Sequence, residues 1–220
     1  PGCILELKGE LPPSAPADPL RPDQGYGGLI IRRFWSLSET IAAGHRQIIT
    51  DDSEAIILVE STLRTAVERQ MLADVPLGAF LSGGIDSSLI VALMQTASSK
   101  PVQTFTIGFE NREFDESPHA SAIAGHLGTD HTSLMLTDTD VRSVIPLLPE
   151  MYDEPFGDPS QIPTHLVCRE ARKKVTVALS GDAGDELFGG YNRYFWGPRI
   201  WNRLAWLPSP ARGGLGRLIT

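Results

Sequence analysis

Residues 81–88 read Leu-Ser-Gly-Gly-Ile-Asp-Ser-Ser, a set of residue types suited to holding an anion. Gly83 and Gly84 let the backbone turn sharply and approach a ligand, while Ser82, Ser87, Ser88 and the free N–H groups of a following helix offer donors. Such a segment is a phosphate cradle, and Asp86 within it would repel phosphate unless a hard cation such as Mg²⁺ lay between them. A nucleotide or pyrophosphate with magnesium is the natural ligand; an ordinary strand-to-helix turn with a cap is the plainer alternative. A second segment, residues 180–191 (SGDAGDELFGGY), gathers Asp182, Asp185 and Glu186 among glycines. Carboxylates so close repel each other without a metal or a cationic substrate. Asp185 would join Asp86 in holding Mg²⁺, and Asp182 would act on a reacting amine as a base or electrostatic partner. The competing account is that Asp182 and Asp185 cap a short helix over residues 184–188.

Both segments need elements that bring them together. Asp51 and Glu54 form a potential capping box, and Ala55, Val59, Leu63, Ala66 and Val67 recur at steps of three and four, which predicts a helix to about Leu72. Apolar β-type runs then alternate with helical patterns. Strands are expected over 77–81, 102–107, 131–136 and 175–179, and helices over 85–97, 117–127, 138–151 and 162–173. Strands without a solvent face, flanked by helices, imply an α/β fold with a doubly wound parallel sheet and helices on both faces. Ligands of such sheets bind at the carboxyl ends of the strands, where both segments fall.

Composition narrows the partners. The 220 residues are 41% apolar, enough for a real core, and 19 Lys plus Arg against 27 Asp plus Glu leave a net charge of −8. That balance argues against a nucleic-acid binder. Apolar runs fall short of the roughly 18–20 residues that cross a bilayer, and no signal-type leader opens the chain, so no membrane is expected and a soluble, cytoplasmic protein is. Cys3 and Cys168 are far apart and form no CxxC pair. His119, His126 and His131 lack a completing ligand for zinc, and no GxxxxGK[ST], GxGxxG or G-x-S-x-G segment occurs. Arg169, Arg172, Lys173 and Lys174 make a small basic patch, read as a solvated helix face. Pro12, Pro13, Pro16, Pro19 and Pro22, followed by Gly25, Gly27 and Gly28, mark a linker or surface insertion, and residues 29–35 a strand or docking arm. A first residue of Pro1 suggests a segment of a longer polypeptide.

Taken together, residues 82–88 and 180–191 resemble the synthetase domain of glutamine-dependent asparagine synthetases. The first segment alone resembles the wider pyrophosphatase-loop group; the second is far more specific. TFTIGF at 104–109, FDES at 114–117 and HLGTDH at 126–131 also fit, and the likeness covers residues 30–194. It implies an adenine nucleotide alpha hydrolase-like fold and a reaction in two steps: aspartate attacks the α-phosphate of ATP to give β-aspartyl-AMP and pyrophosphate, and ammonia then displaces AMP to give asparagine. By similarity Leu81, Ile107, Gly108, Ser180 and Gly181 contact ATP, with Ile107 and Gly108 near the adenine. Ser82, Gly83, Gly84, Asp86 and Ser87 hold the departing pyrophosphate, and Asp86 with Asp185 holds its Mg²⁺. Asp182 stands where the family carries an acidic residue, often Glu, that helps the intermediate form or assists the ammonia step. Donors and cations around pyrophosphate would stabilise the charge that develops on the leaving group.

The resemblance also implies an organisation: residues 1–9 as the end of a preceding glutaminase domain, 10–28 as linker, 29–194 as the ATP-binding synthetase domain, and 195–220 as the start of a truncated helical part. The glutaminase domain would supply ammonia from glutamine, and Cys3 is not its nucleophile. Trp196, Trp201 and Trp206 are expected to pack against further helices. Residues 153–160 lie where the family binds the acceptor amino acid. A related adenylating ligase or cyclase acting on another carboxylate, a nucleotide-binding fragment without catalysis, and a homodimeric assembly stay open.

Overall fold

The computed structural model describes residues 2–110, 115–155, 157–209 and 212. Pro1, Phe114 of the FDES stretch, Phe156, and residues 210, 211 and 213–220 of the expected C-terminal part lie outside the described residues. The chain divides into two compact units, Pro1–Glu60 and Ser61–Thr220.

In the first unit, strands β1 (Cys3–Leu7), β2 (Gly25–Tyr26) and β3 (Leu29–Arg33) form an antiparallel sheet in the order β1-β3-β2. Cys3 pairs with Arg33 and Leu7 with Leu29, and Glu6 meets Arg32 at 2.7 Å. Helix α1 (Leu37–Arg46) follows, its first turn capped by Ser36. The strand placed by sequence at the start of the synthetase domain thus shares a sheet with the segment assigned to the preceding domain. Composition marks the proline-rich connection between them, but the long-range backbone pairing that joins its two ends leaves no local signal. Helix α2 (Asp52–Gln70) opens with the Glu54 N–H donating to Asp51 Oδ1 at 2.8 Å.

The second unit holds β4 (Leu77–Phe80), α3 (Ile85–Ala97), β5 (Gln103–Phe109), α4 (Ser117–Leu127) and β6 (Asp130–Leu136). After them come α5 (Asp138–Val144), α6 (Leu148–Met151), α7 (Gln161–Ala171), β7 (Val177–Leu179), α8 (Gly184–Phe188) and α9 (Asn192–Leu204). The four strands are parallel in the order β6-β5-β4-β7. Alternation along β4 and β5 feeds two faces. Ala79 and Leu81 pack with Val67, Val91, Met94, Ala120 and Ala124 of α2, α3 and α4. Phe80 and Phe105 turn the other way onto Val167, Ala171 and Val175, and Ile107, Phe109 and Leu136 join Val144 and Leu166 of α5 and α7. Helices on both faces make the expected doubly wound architecture.

Helices α3 and α4 occupy the spans their punctuation predicts; Gly128, in the left-handed region at φ 72°, closes α4. The helix expected over 138–151 is broken: Pro146 and Pro149 each remove a backbone donor, and a 3₁₀ turn at Ile145–Leu147 separates α5 from α6. Strand β7 begins two residues later than expected because Val175 is spent on the core and Thr176 N–H donates to Pro76 O. Among the described residues no helix is long and apolar enough to cross a membrane. On α9, Phe195, Trp196, Ile200 and Trp201 are exposed, as is Trp206 beyond it.

One histidine ties pH to the fold. His131 Nδ1 lies 2.9 Å from Thr104 Oγ1, and its Nε2 is buried with no partner among the described residues. Burial pushes its pKa below the usual 6.5, because the charged ring loses water. The unfolded chain therefore binds this proton first as pH falls, and stability drops from about pH 6.5 down through the folded-state pKa. Equilibrium unfolding of the protein between pH 5 and 8 is expected to show that loss, and His131→Asn to flatten it; an unchanged slope in the variant would assign the loss to other groups.

Candidate functional site

The sheet order reverses beside β4: the chain proceeds outward through β5 and β6, then returns to place β7 on the other side of β4. Loops leaving the carboxyl ends of β4 and β7 at this switch point face each other, and such a crevice is where open α/β sheets bind ligands.

From β4 the chain turns through residues 81–84 into α3. Gly83 has φ +87°, a conformation side chains rarely adopt, and a Cβ there would press on His119 and Ala120 of α4 at 3.0 Å. The serines are wired within the turn. Ser82 Oγ and Ser87 Oγ lie 3.0 Å apart, Ser82 N–H donates to Ser87 Oγ, and Ser88 Oγ donates to Gly84 O at 2.6 Å. Helix α3 has no side-chain cap, so its first-turn N–H groups stay directed at the crevice.

From β7 the chain runs through Ser180, Gly181, Asp182 and Ala183 into the short α8. It lies directly on the first loop: a Cβ on Gly181 would stand 2.6 Å from Ser87 N, and one on Gly184 would fall on the Asp86 carboxylate. Only glycine allows this approach, which brings residues almost a hundred positions apart into contact. Ser180 Oγ donates to Asp182 Oδ2 at 3.0 Å. Asp185 packs against Gly190, whose N–H donates to Asp185 O. Ala183 is left-handed at φ 73° and ψ 1°, a backbone state that costs a non-glycine residue about 1 kcal/mol. Tyr191 OH donates to Glu186 Oε1 at 2.7 Å; that bond raises the Tyr191 hydroxyl above its usual range and, with Arg193 nearby, holds the Glu186 carboxyl below its own.

The loops border a cleft of about 1180 Å³. Ser82, Gly84, Asp86, Ser87, Ile107, Ser180, Gly181, Asp182 and Asp185 all line it. Four residues singled out by sequence do not. Leu81 is buried in the core, where its N–H donates to Phe105 O; Gly83 lies under α4; Ser88 turns its hydroxyl onto Gly84 O; and Gly108 is packed against Met135, Ser117 and Asp115. The cleft adds residues that sequence reasoning left unassigned: Glu186 and Tyr191 beyond the acidic loop, Glu116 at the start of α4, and Asp158, Ser160 and Thr164 at the entry to α7. Asp158 Oδ1 accepts the Ser160 N–H at 2.8 Å, and its carboxyl is held low by that bond. The cleft lining combines the apolar side chains Phe80, Ile107, Phe109, Pro163 and Val167 with the polar residues of the two loops. That combination suits a flat base joined to an anionic chain.

Fold and site together define a class: a parallel α/β domain whose serine–glycine loop is met by an acidic loop at the switch point. Residues 58–219 match the asparagine synthase family, and the chain belongs to it. A Methanocaldococcus jannaschii protein provisionally named glutamine-hydrolyzing asparagine synthetase 2 is 44% identical over 154 residues, 69% of this chain and 30% of that protein. Asparagine synthetase 1 of Bacillus subtilis, also named glutamine-hydrolyzing, is 39% identical over 175 residues, 80% of this chain and 26% of that protein. The chain thus spans 26–30% of the length of these relatives. Among solved structures it is similar to an NH3-dependent NAD synthetase from Campylobacter jejuni, at 14% identity and a TM-score of 0.42 over 61% of this chain and 59% of that one.

Proposed function

We propose that this chain is the ATP-using part of a ligase that converts aspartate to asparagine through β-aspartyl-AMP, with ammonia drawn from glutamine by a glutaminase domain of the same protein. One observation carries it: the cradle at 82–87 and the acid loop at 180–185 meet at the switch point, with Gly184 seated on Asp86 and Asp185 in the same cleft. The base of ATP suits the apolar lining around Ile107, and its phosphates the donors of Ser82, Ser87 and the first turn of α3. Six carboxylates line the cleft and no Lys or Arg does among the described residues, so a polyphosphate needs a cation to enter.

Asp86 and Asp185 fit that need. Mg²⁺ is held through one or two carboxylates with substrate phosphates completing the shell, and among the described residues no three acidic, His or Cys side chains form a metal-holding group by themselves. When bound, the ion would neutralise the charge that builds on the leaving pyrophosphate. The aspartate side-chain carboxylate oxygen attacks the α-phosphorus and the bond to the β-phosphate oxygen breaks. In the second step ammonia adds to the acyl carbon, the bond to AMP breaks, and a proton must leave nitrogen. Asp182, which accepts from Ser180 Oγ, would take that proton or stabilise the ammonium that precedes its loss.

Product analysis of the full-length protein with ATP, Mg²⁺, ammonia and aspartate tests this. AMP, pyrophosphate and asparagine are expected in equal amounts. AMP and pyrophosphate with a different carboxylate only would keep the adenylation and change the acceptor; ADP and phosphate, or no turnover with any acceptor, would overturn the proposal.

A further inference from the structure

The acidic loop is fixed from three sides by glycine contacts: Gly181 lies on the Ser87 backbone, Gly184 on the Asp86 carboxylate, and Gly190 on the Asp185 carboxylate. Between the first two contacts the chain must reverse within three residues, and Ala183 makes the reversal in the left-handed region at φ 73°. Asp23 is the other non-glycine residue at positive φ among the described residues, and it lies in the proline-rich connection. At Ala183 the conformation is held by hydrogen bonds on both sides. Gly184 N–H donates to Gly181 O at 3.3 Å, and Leu187 N–H donates to Ala183 O at 3.1 Å. Its side chain is exposed, so space does not limit what can stand there; the backbone state does.

We propose that Ala183 is a positioning residue: its left-handed backbone, not its methyl group, sets Asp182 and Asp185 against Asp86. The proposal rests on the reading of this cleft as a magnesium and ATP site. A residue in the extended or right-handed region at 183 would carry Gly184 off Asp86 and turn Asp185 away from the cradle. The two carboxylates meant for one cation would then no longer share it. Asp182 would be displaced less, because Ser180 Oγ holds it from the strand side.

Glycine, asparagine and valine at this position separate conformation from size. Glycine adopts the left-handed region freely and asparagine tolerates it, whereas β-branched valine, close to asparagine in bulk, does not. The readout is the rise in the thermal midpoint of the full-length protein with a non-hydrolysable ATP analogue, followed as Mg²⁺ is titrated. In Ala183→Gly and Ala183→Asn the Mg²⁺ concentration for half the rise is expected within about threefold of the unmodified protein, and in Ala183→Val raised about tenfold or more. The midpoint without ligand reports whether each variant folds, and Ala183→Asn keeps the test sound should the valine variant be unstable. Equal losses in the asparagine and valine variants, or an unchanged Mg²⁺ response in the valine variant, would overturn the proposal while leaving the nucleotide site standing. An unmodified protein that shows no Mg²⁺-dependent rise at all would sink both.

Discussion

Replacing Asp86 by alanine in the full-length protein is expected to lower the rate of AMP and pyrophosphate formation by about 10²- to 10³-fold or more, the scale on which removal of one electrostatic partner of a leaving group is felt. Asp86 stands in the first turn of α3 and forms the floor on which Gly184 rests. Two roles compete for it. An acid in the first turn also favours a helix through the macrodipole, worth about 0.3–1 kcal/mol, and an Asp86 serving only that purpose would cost stability and leave turnover alone. An Asp86 that shares a cation with Asp185 shows the opposite pattern: little change in the thermal midpoint, collapse of turnover, and a loss that added Mg²⁺ restores only in part. Asp86→Asn sharpens the contrast, since it keeps shape and hydrogen-bonding capacity but removes the charge. Wild-type pyrophosphate release from either variant would end the assignment of the metal to this residue.

Much of this geometry could be anticipated because glycines punctuate it. Gly84 before α3 and Gly128 after α4 are local signals, and both helices lie where those signals put them. Helix α5 shows a local signal misjudged, for Pro146 and Pro149 stood in the sequence and the apolar periodicity outweighed them. Leu81 illustrates a different limit. The family resemblance implies ATP contact for it, while alternation along β4 turns its side chain into the core with Ala79. The pairing of Cys3–Leu7 with Leu29–Arg33, and the wall built by Asp158, Ser160 and Thr164, come from contacts between distant segments. The seat of Gly184 on Asp86 is of the same kind: each loop was legible as a chemical motif, yet nothing in either says how closely the other approaches. The left-handed state of Ala183 was hidden too, because alanine is not the residue that announces a positive φ.

Gly181 and Gly184 allow that approach to be tested directly, since both stand where a methyl group would meet the opposite loop but meet different atoms there. A Cβ at 181 would lie 2.6 Å from Ser87 N and 2.8 Å from Asp86 C, backbone atoms of the first turn of α3 that cannot yield without moving the helix. Gly181→Ala is therefore expected to cost about 1–3 kcal/mol as an overpacked site. For a chain of this length that lowers the thermal midpoint by roughly 2–12 °C. A Cβ at 184 meets chiefly the Asp86 carboxylate, the free end of a side chain that can rotate away, and stands 3.0 Å from Asp86 Cβ, which has to give by only a few tenths of an ångström. Alanine also suits the first residue of α8 better than glycine does, which offsets part of any strain. Gly184→Ala should consequently leave the midpoint within a degree or two of the unmodified protein. Both variants should nevertheless lose most pyrophosphate formation, the first because the loops are forced apart and the second because Asp86 has left its place. A Gly184→Ala protein with full activity would show that the position of the Asp86 carboxylate is not what the reaction needs. A variant as unstable as Gly181→Ala would show that the Asp86 side chain is less free to move than its half-buried place in the lining of the cleft implies.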